Sequence, residues 1–252
     1  MAVVLRYVNK RGIVLERFIG IVHVRDTCAS SLKEAITSLL GEHNLSLSRI
    51  RGQGYDGASN MNGPFNGLKS LILRENPTAY YIHCFAHQLQ LALVYVARRN
   101  DEADWFFVLV NKITNVMKGS AKRRELIREK QTIQIIEGLS HGDLQTGSGS
   151  NQELGFRRPC ETRWGSHYSC ILNLIANFSC IADVLGIVGK DSTKQEQKAE
   201  ANRLKKFMED FDFVLMMHLM KNVLGITNEL SLALQKKDQD IENAMSLVMV
   251  AK

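Results

Sequence analysis

Proline is scarce in this chain: there are three in 252 residues, while Leu, Lys, Glu and Ala are plentiful. Few rings interrupt the backbone hydrogen-bond ladder, so the composition leans toward helix. Cysteine is also sparse, with five residues, an odd count without closely spaced pairs. That argues against a disulfide-stapled scaffold and for a reducing compartment. No apolar run approaches the roughly 18 residues needed to span a bilayer. The opening, MAVVLRYVNKRG, puts its apolar run before its charge, the reverse of a secretory signal. Charge is not extreme either. A formal net charge of +6 and a pI of about 9.1 suit a polyanionic partner, but such values are common in proteins that never meet nucleic acid.

What is there is ordinary globular composition, 45% hydrophobic and 23% charged, in a chain long enough for one large domain or two small ones. Residues 2–9 and 13–25 are rich in β-branched and aromatic side chains around Lys10-Arg11-Gly12, which predicts an antiparallel hairpin. A strand that starts at the first residue raises the expectation that the chain is a piece of something longer. Ser30 or Ser31 is expected to cap a helix reaching about Leu40, with Glu34 in capping-box spacing from Ser31. A short strand is expected near Ser46–Gly52, a helix over Phe65–Glu75 stopped by Asn76-Pro77, a strand over 79–84, and a helix through FAHQLQLALVYVARR. This β-β-α-β-α-β-α order implies an α/β sheet within residues 1–100. Residues 101–252 read as mostly helical, with a mobile Gly/Ser-rich loop near 138–157.

Gly52, Gly54 and Gly57 formally satisfy the G-x-G-x-x-G pattern. A dinucleotide site is nevertheless a poor fit. The preceding SLSRIR is short and polar where a Rossmann strand should be apolar, and Asp56 inside the loop would oppose a pyrophosphate. No nucleotide cofactor is expected. Asp56 itself has two readings: a carboxylate at a strand end with room for a hard divalent cation, or a turn residue bonded to its own backbone beside Gly57. On spacing alone the turn is the commoner outcome.

The strings RGQGYDGASNMNGPFNGLKSLI, AYYIHCFAHQLQLAL and ETRWGSHY, in that order, closely resemble hAT-family transposases, in the branch of zinc finger MYM-type and TTF-type domain proteins. The resemblance covers nearly the whole chain. It implies a ribonuclease-H-like sheet with a helical insertion domain, ancestrally used for metal-dependent DNA strand cleavage and transfer. Its catalytic centre would be an Asp-Asp-Glu triad holding Mg2+ or Mn2+, and Asp56 matches the second Asp. The first Asp would precede the hairpin and the Glu would follow the insertion domain, so the sheet is expected to be incomplete, its first strand missing, with no metal stably bound and no cleavage by this chain alone. Glu229 and Glu242 have no claim to the role. The alternative is a domesticated, non-catalytic module that binds nucleic acid or protein. DNA is the implied ancestral partner, with oligomers in longer relatives, a nuclear location and no membrane.

The same resemblance matches Cys84 and His87 to a C-x-x-H motif beside the active centre. His83-Cys84-x-x-His87 also looks like half a zinc site, but Cys160, Cys170 and Cys180 lack the short spacing of a second half. Arg163 and Trp164 match an Arg-Trp motif implicated in handling hairpinned DNA ends. A tryptophan can stack on an unpaired base while a neighbouring cation meets phosphate, or it can simply anchor a helix. Arg157 and Arg158 lie nearby in sequence. Lys122, Arg123 and Arg124 belong to a basic helical face with Lys118, Arg128 and Lys130, a phosphate-contacting surface or a solvated one. The stretch Phe207–Met220 reads as helical core or as an oligomer contact.

Overall fold

The computed structural model describes residues 1–140, 159, 165–237 and 239–250. Strands β1 (Ala2–Val8) and β2 (Val14–Ile21) pair antiparallel, with Val8 opposite Val14 and Ala2 opposite Ile21, and a register shift between Val3 and Val4. The turn between them is built by Asn9, whose Oδ1 accepts from the backbone N–H of Arg11 (2.8 Å) and Ile13 (3.0 Å). Gly12 turns the corner at φ +76°, a conformation that costs glycine nothing. The expected hairpin is present, its first strand one residue shorter and its second five residues shorter than expected.

Helix α1 (Ala29–Glu42) begins earlier than expected. Cys28 holds the N-cap position without a side-chain bond, so Ser30 and Ser31 lie inside the first turn and the capping box does not form. Asp26 serves this end instead: its Oδ1 accepts from the Cys28 N–H at 2.8 Å. That bond, helped by the Ser31 hydroxyl, holds the carboxyl below its ordinary range.

The segment expected to be a strand near Ser46–Gly52 contains a 3-10 turn at Leu47–Arg49, and the strand β3 is the glycine-rich run Gly52–Tyr55 itself. Gln53 explains the shift: its Nε2 donates to Ala79 O (2.9 Å) and Lys69 O (3.3 Å), while Tyr55 Oη donates to Gln53 Oε1 at 2.6 Å. These inward bonds compensate for the small apolar content of the strand. Side chains at Gly52 and Gly54 would meet only carbonyl oxygens at 3.7 and 3.8 Å, so neither glycine is sterically required and neither forms a phosphate-cradling turn. After α2 (Ser59–Asn62) and α3 (Leu68–Glu75), strand β4 (Tyr80–His83) returns parallel to β3, with Gly52 opposite Tyr80 and Tyr55 opposite His83. The four strands thus make two separate two-stranded sheets rather than one. Helix α4 (Phe85–Arg98) follows directly.

The chain divides into two compact units: residues 1–91 with 230–252, and residues 92–229. In the first, Ala29, Leu32, Leu68, Ile72 and Ala79 form the core under β3 and β4, with Ile50, Tyr55 and Met61 packed against it. Lys33 pairs with Glu75, linking α1 to α3. The expected split into 1–100 and 101–252 differs here. Leu230 and Leu234, at the end of α10 (Phe211–Leu234), and Ala244 of α11 (Ile241–Val250) share an apolar cluster with Phe85, Ala86 and Leu89.

The second unit is helical throughout its described residues. Helix α5 (Asp101–Lys118) is capped by Asn100, whose Oδ1 accepts from Ala103 N–H at 2.8 Å. It is followed by α6 (Ala121–Ser140), α7 (Gly165–Ala176), α8 (Phe178–Asp191) and α9 (Gln195–Met208). The helical run 103–136 is therefore two helices broken at Gly119-Ser120, and residues 138–140, expected to open a mobile loop, belong to α6, while the rest of that expected loop to 157 lies outside the described residues. Phe106, Ile113, Met117, Ile171, Ile181, Leu185, Leu204 and Phe213 are almost fully buried together. Among the described residues no single helix is long and apolar enough to cross a membrane.

One buried polar side chain ties the first unit together. Asn76 Nδ2 donates to Leu47 O and Ile50 O, both at 2.7 Å, and its Oδ1 accepts from Thr78 N–H (3.1 Å) and Thr78 Oγ1 (2.6 Å). It ends α3 and clamps the turn before β3. Replacing it with an apolar side chain strands these partners, so Asn76→Leu is expected to lower stability by about 2 kcal/mol. Asn76→Asp, which sets a carboxylate against two carbonyls, is expected to cost at least as much. Urea unfolding midpoints check both.

Candidate site at the end of the parallel strand pair

Because β3 and β4 run parallel and in register, they end side by side. Asp56 leaves one strand where Cys84 leaves the other. The join is hydrogen-bonded: Cys84 N–H donates to Tyr55 O at 3.1 Å. Tyr81 Oη donates to Asp56 O at 3.1 Å and, more weakly, to Tyr55 O at 3.4 Å. The carboxyl ends of parallel strands are where open α/β structures place ligands.

The Asp56 side chain is exposed, and its Oδ1 accepts from Ala58 N–H at 3.2 Å. The local turn reading and the strand-end reading therefore both describe the same residue. Beneath the next residue lies His83. A Cβ at Gly57 would come within 2.7 Å of its ring carbon Cε1, so glycine is required for this close approach. His83 Nε2 is buried without a hydrogen-bond partner, and the His83 and His87 ring centroids are 5.6 Å apart. Burial, and then the neighbouring His87, press the His83 imidazole below its ordinary range, while Asp56 opposes the shift. Burial pushes the Tyr81 hydroxyl up, with Asp56 and Cys84 adding to it, and burial raises Tyr55 further. Lys69 Nζ sits 5.2 Å from the Tyr81 ring centroid and donates to Asn62 Oδ1 at 2.6 Å.

Asp56, Cys84 and His87 are thus brought to one place, with Cys84 exposed and His87 half-buried at the start of α4. Tyr81 and Lys69 were not singled out from the sequence, and His83 was noticed only as part of a zinc-like spacing. The alternation of β4, with Tyr80 and Ile82 outward and Tyr81 and His83 inward, is the signal that finds the two strand residues. Among the described residues no three His, Cys, Asp or Glu side chains gather closely enough to hold a metal ion.

The basic residues of α6 have divided uses. Arg123 is structural: its guanidinium donates to Val116 O (3.1 Å) and Gln197 Oε1 (2.9 Å). Lys130 pairs with Asp183 at 2.6 Å, and Arg128 approaches Glu125 at 3.5 Å. Lys122 and Arg124 are exposed. Arg157, Arg158, Arg163 and Trp164 lie outside the described residues.

Residues 1–67 match the family described as DUF4371: ZMYM1/FAM200, RNase-like domain. The chain is also similar to the human 52 kDa repressor of the inhibitor of the protein kinase, with 21% identity over 244 residues. That alignment covers 96% of this chain and 30% of the relative, so the chain spans under a third of the length of the curated protein it matches. No solved structure matches the chain. The first similarity is to an RNase-like domain over the first part of the chain, and the second runs along nearly all of it.

The Gly57–His83 contact yields a measurable coupling. Gly57→Ala is expected to destabilise by about 1–3 kcal/mol, as overpacking does. Adding His83→Ala removes the obstacle, so the double variant should lose less than the sum of the single losses in a denaturant-based cycle. The depressed imidazole also sets a pH dependence. The unfolded chain binds this proton more readily than the folded one, so its contribution is present above the ordinary value of 6.5 and is lost as pH falls below it. Between pH 7 and about 5, wild type should lose more stability than His83→Gln.

Proposed function

We propose that this chain is the central part of a hAT-transposase-derived protein of the zinc finger MYM-type and TTF-type branch, in which Asp56 is one carboxylate of an ancestral DNA-cleaving centre. The observation that carries this reading is the meeting of Asp56 with the Cys84-x-x-His87 segment at the common end of two parallel strands. The RNase-like description of the first 67 residues supports the family, and the branch rests on the sequence motifs. In such centres two divalent ions stabilise the attacking and leaving oxygens of an in-line displacement.

The residues present do not make that centre by themselves. Magnesium wants oxygen ligands in near-octahedral geometry, and at this strand end the described side chains supply one carboxylate. The neighbouring imidazoles are softer donors, and His83 turns its unpaired nitrogen inward, away from water. No cleavage step is therefore assigned to this polypeptide. His87 and Cys84 are read as residues that shape and support the Asp56 turn.

A second reading is a non-catalytic module that binds nucleic acid in the nucleus. The net charge of +6 and the exposed Lys122 and Arg124 favour it. Both readings share a test. Hairpin DNA is titrated with the chain by electrophoretic shift at several salt concentrations, then incubated with Mg2+ or Mn2+. Binding should weaken as salt rises, with a slope set by the number of phosphates neutralised. Lys122→Glu with Arg124→Glu should reduce both affinity and slope, while Asp56→Asn changes neither, and no strand is cut. Metal-dependent nicking that Asp56→Asn abolishes would show a complete catalytic centre and overturn the reading.

A further inference from the structure

The second unit leaves an apolar strip bare. On α10, Phe211, Leu215, Leu219, Val223 and Ile226 are 74, 52, 47, 40 and 58% exposed, while Phe213, Met216, Met217 and Leu224 on the other side are buried. Steps of four, four, four and three residues keep the five exposed side chains on one face of the helix. Asp212 and Asn222 are exposed polar residues on that face, where a helix that served only to close a core would be mostly polar. A row of this size is the kind of surface that marks a binding groove rather than scattered surface leucines.

The strip runs into a cleft. Leu215 and Met216 of α10 and Trp105 of α5 line a cavity of about 430 Å³ whose remaining lining residues are Asp101, Glu102 and Asp212. Asp101 and Glu102 occupy the first turn of α5 and Asp212 the first turn of α10. Acids at helix starts are favourable on their own. Here they also give the cleft a rim of one sign on a chain whose net charge is +6. Phosphate would be repelled by this rim, so the face is not a nucleic-acid surface. A second copy of the strip does not satisfy it either. Helix α10 has one Lys or Arg, Lys221, and helical geometry sets it well away from the strip.

We propose that the α10 strip and the acid-rimmed cleft form a docking groove for a basic amphipathic helix of a partner protein. The partner lays large apolar side chains, spaced three and four residues apart, along Leu215–Ile226, and sets a flanking Lys or Arg against Asp101, Glu102 and Asp212. This is the helix-in-groove mode of recognition, with apolar contact supplying affinity and the rim supplying orientation and on-rate. It does not depend on the reading of Asp56.

The test uses two labelled synthetic helices of about five turns, identical in their leucine face and flanked by Lys in one and Glu in the other. Each is titrated with the whole chain by fluorescence anisotropy, at low and high salt. The Lys-flanked peptide should bind about tenfold or more tightly than the Glu-flanked one, with the gap narrowing at high salt. Leu219→Glu and Asp212→Lys should each weaken it by about tenfold, as hot-spot and charge-pair changes do. Both positions are exposed, and circular dichroism confirms that each variant keeps its helices. Equal binding of the two peptides, or binding of neither, overturns the proposal. So does a dimer in sedimentation that Leu219→Glu dissolves, since a second copy would then be the occupant.

Discussion

The parallel pairing of β3 with β4 is the constraint on which the candidate site rests. Four residue pairs, from Gly52–Tyr80 to Tyr55–His83, bring two segments 28 residues apart in sequence to a common end. Everything of chemical interest in the first unit hangs from that end. Asp56 steps off one strand, Cys84 and His87 off the other, and Tyr81 donates across the gap to the backbone between them. The pairing is short, so it depends on what braces it. Gln53 and Asn76 supply that brace with side-chain bonds to four backbone carbonyls, those of Lys69, Ala79, Leu47 and Ile50. Buried polar groups of this kind stabilise only when fully satisfied, and these are.

Much of the element order was legible because periodicity and punctuation agree there. The hairpin around Lys10–Gly12, the stop at Asn76-Pro77 and the helix after Cys84 all follow from local chemistry. The misplaced elements arise where a specific side-chain bond or contact, local in one case and tertiary in the others, overrode the expected signal. Residues 46–52 looked more strand-like than GQGY, yet Gln53 and Tyr55 have inward partners that make GQGY the strand. Ser31 and Glu34 had capping spacing, but Asp26 reaches the helix end first. The last helix joins the first unit because Leu230, Leu234 and Ala244 find Phe85 and Ala86, a pairing across more than 140 residues that no local window contains.

For the site, the sequence carried the cluster of Asp56, Cys84 and His87 through resemblance to a family motif, not through spacing. What neither spacing nor motif conveyed was the part His83 plays. Its significance is packing: an imidazole wedged under Gly57, with a nitrogen that meets no partner. The glycine that looked like part of a phosphate loop is there because a ring occupies the space where its side chain would go. Arg123 illustrates the converse. A residue chosen for phosphate contact is engaged with Val116 and Gln197, which leaves Lys122 and Arg124 as the cations of that turn that face water.

The central claim is that Asp56 shares one site with the Cys84–His87 segment and offers a cation a single carboxylate. Paramagnetic broadening by Mn2+ in the isotope-labelled chain tests it most directly, because it reads proximity even when binding is weak. The account predicts that resonances of Asp56, Cys84 and His87 broaden together, only at high Mn2+, and that Asp56→Asn abolishes the effect. Broadening at Asp56 that spares Cys84 and His87, or tight saturable binding that survives Asp56→Asn, would contradict it.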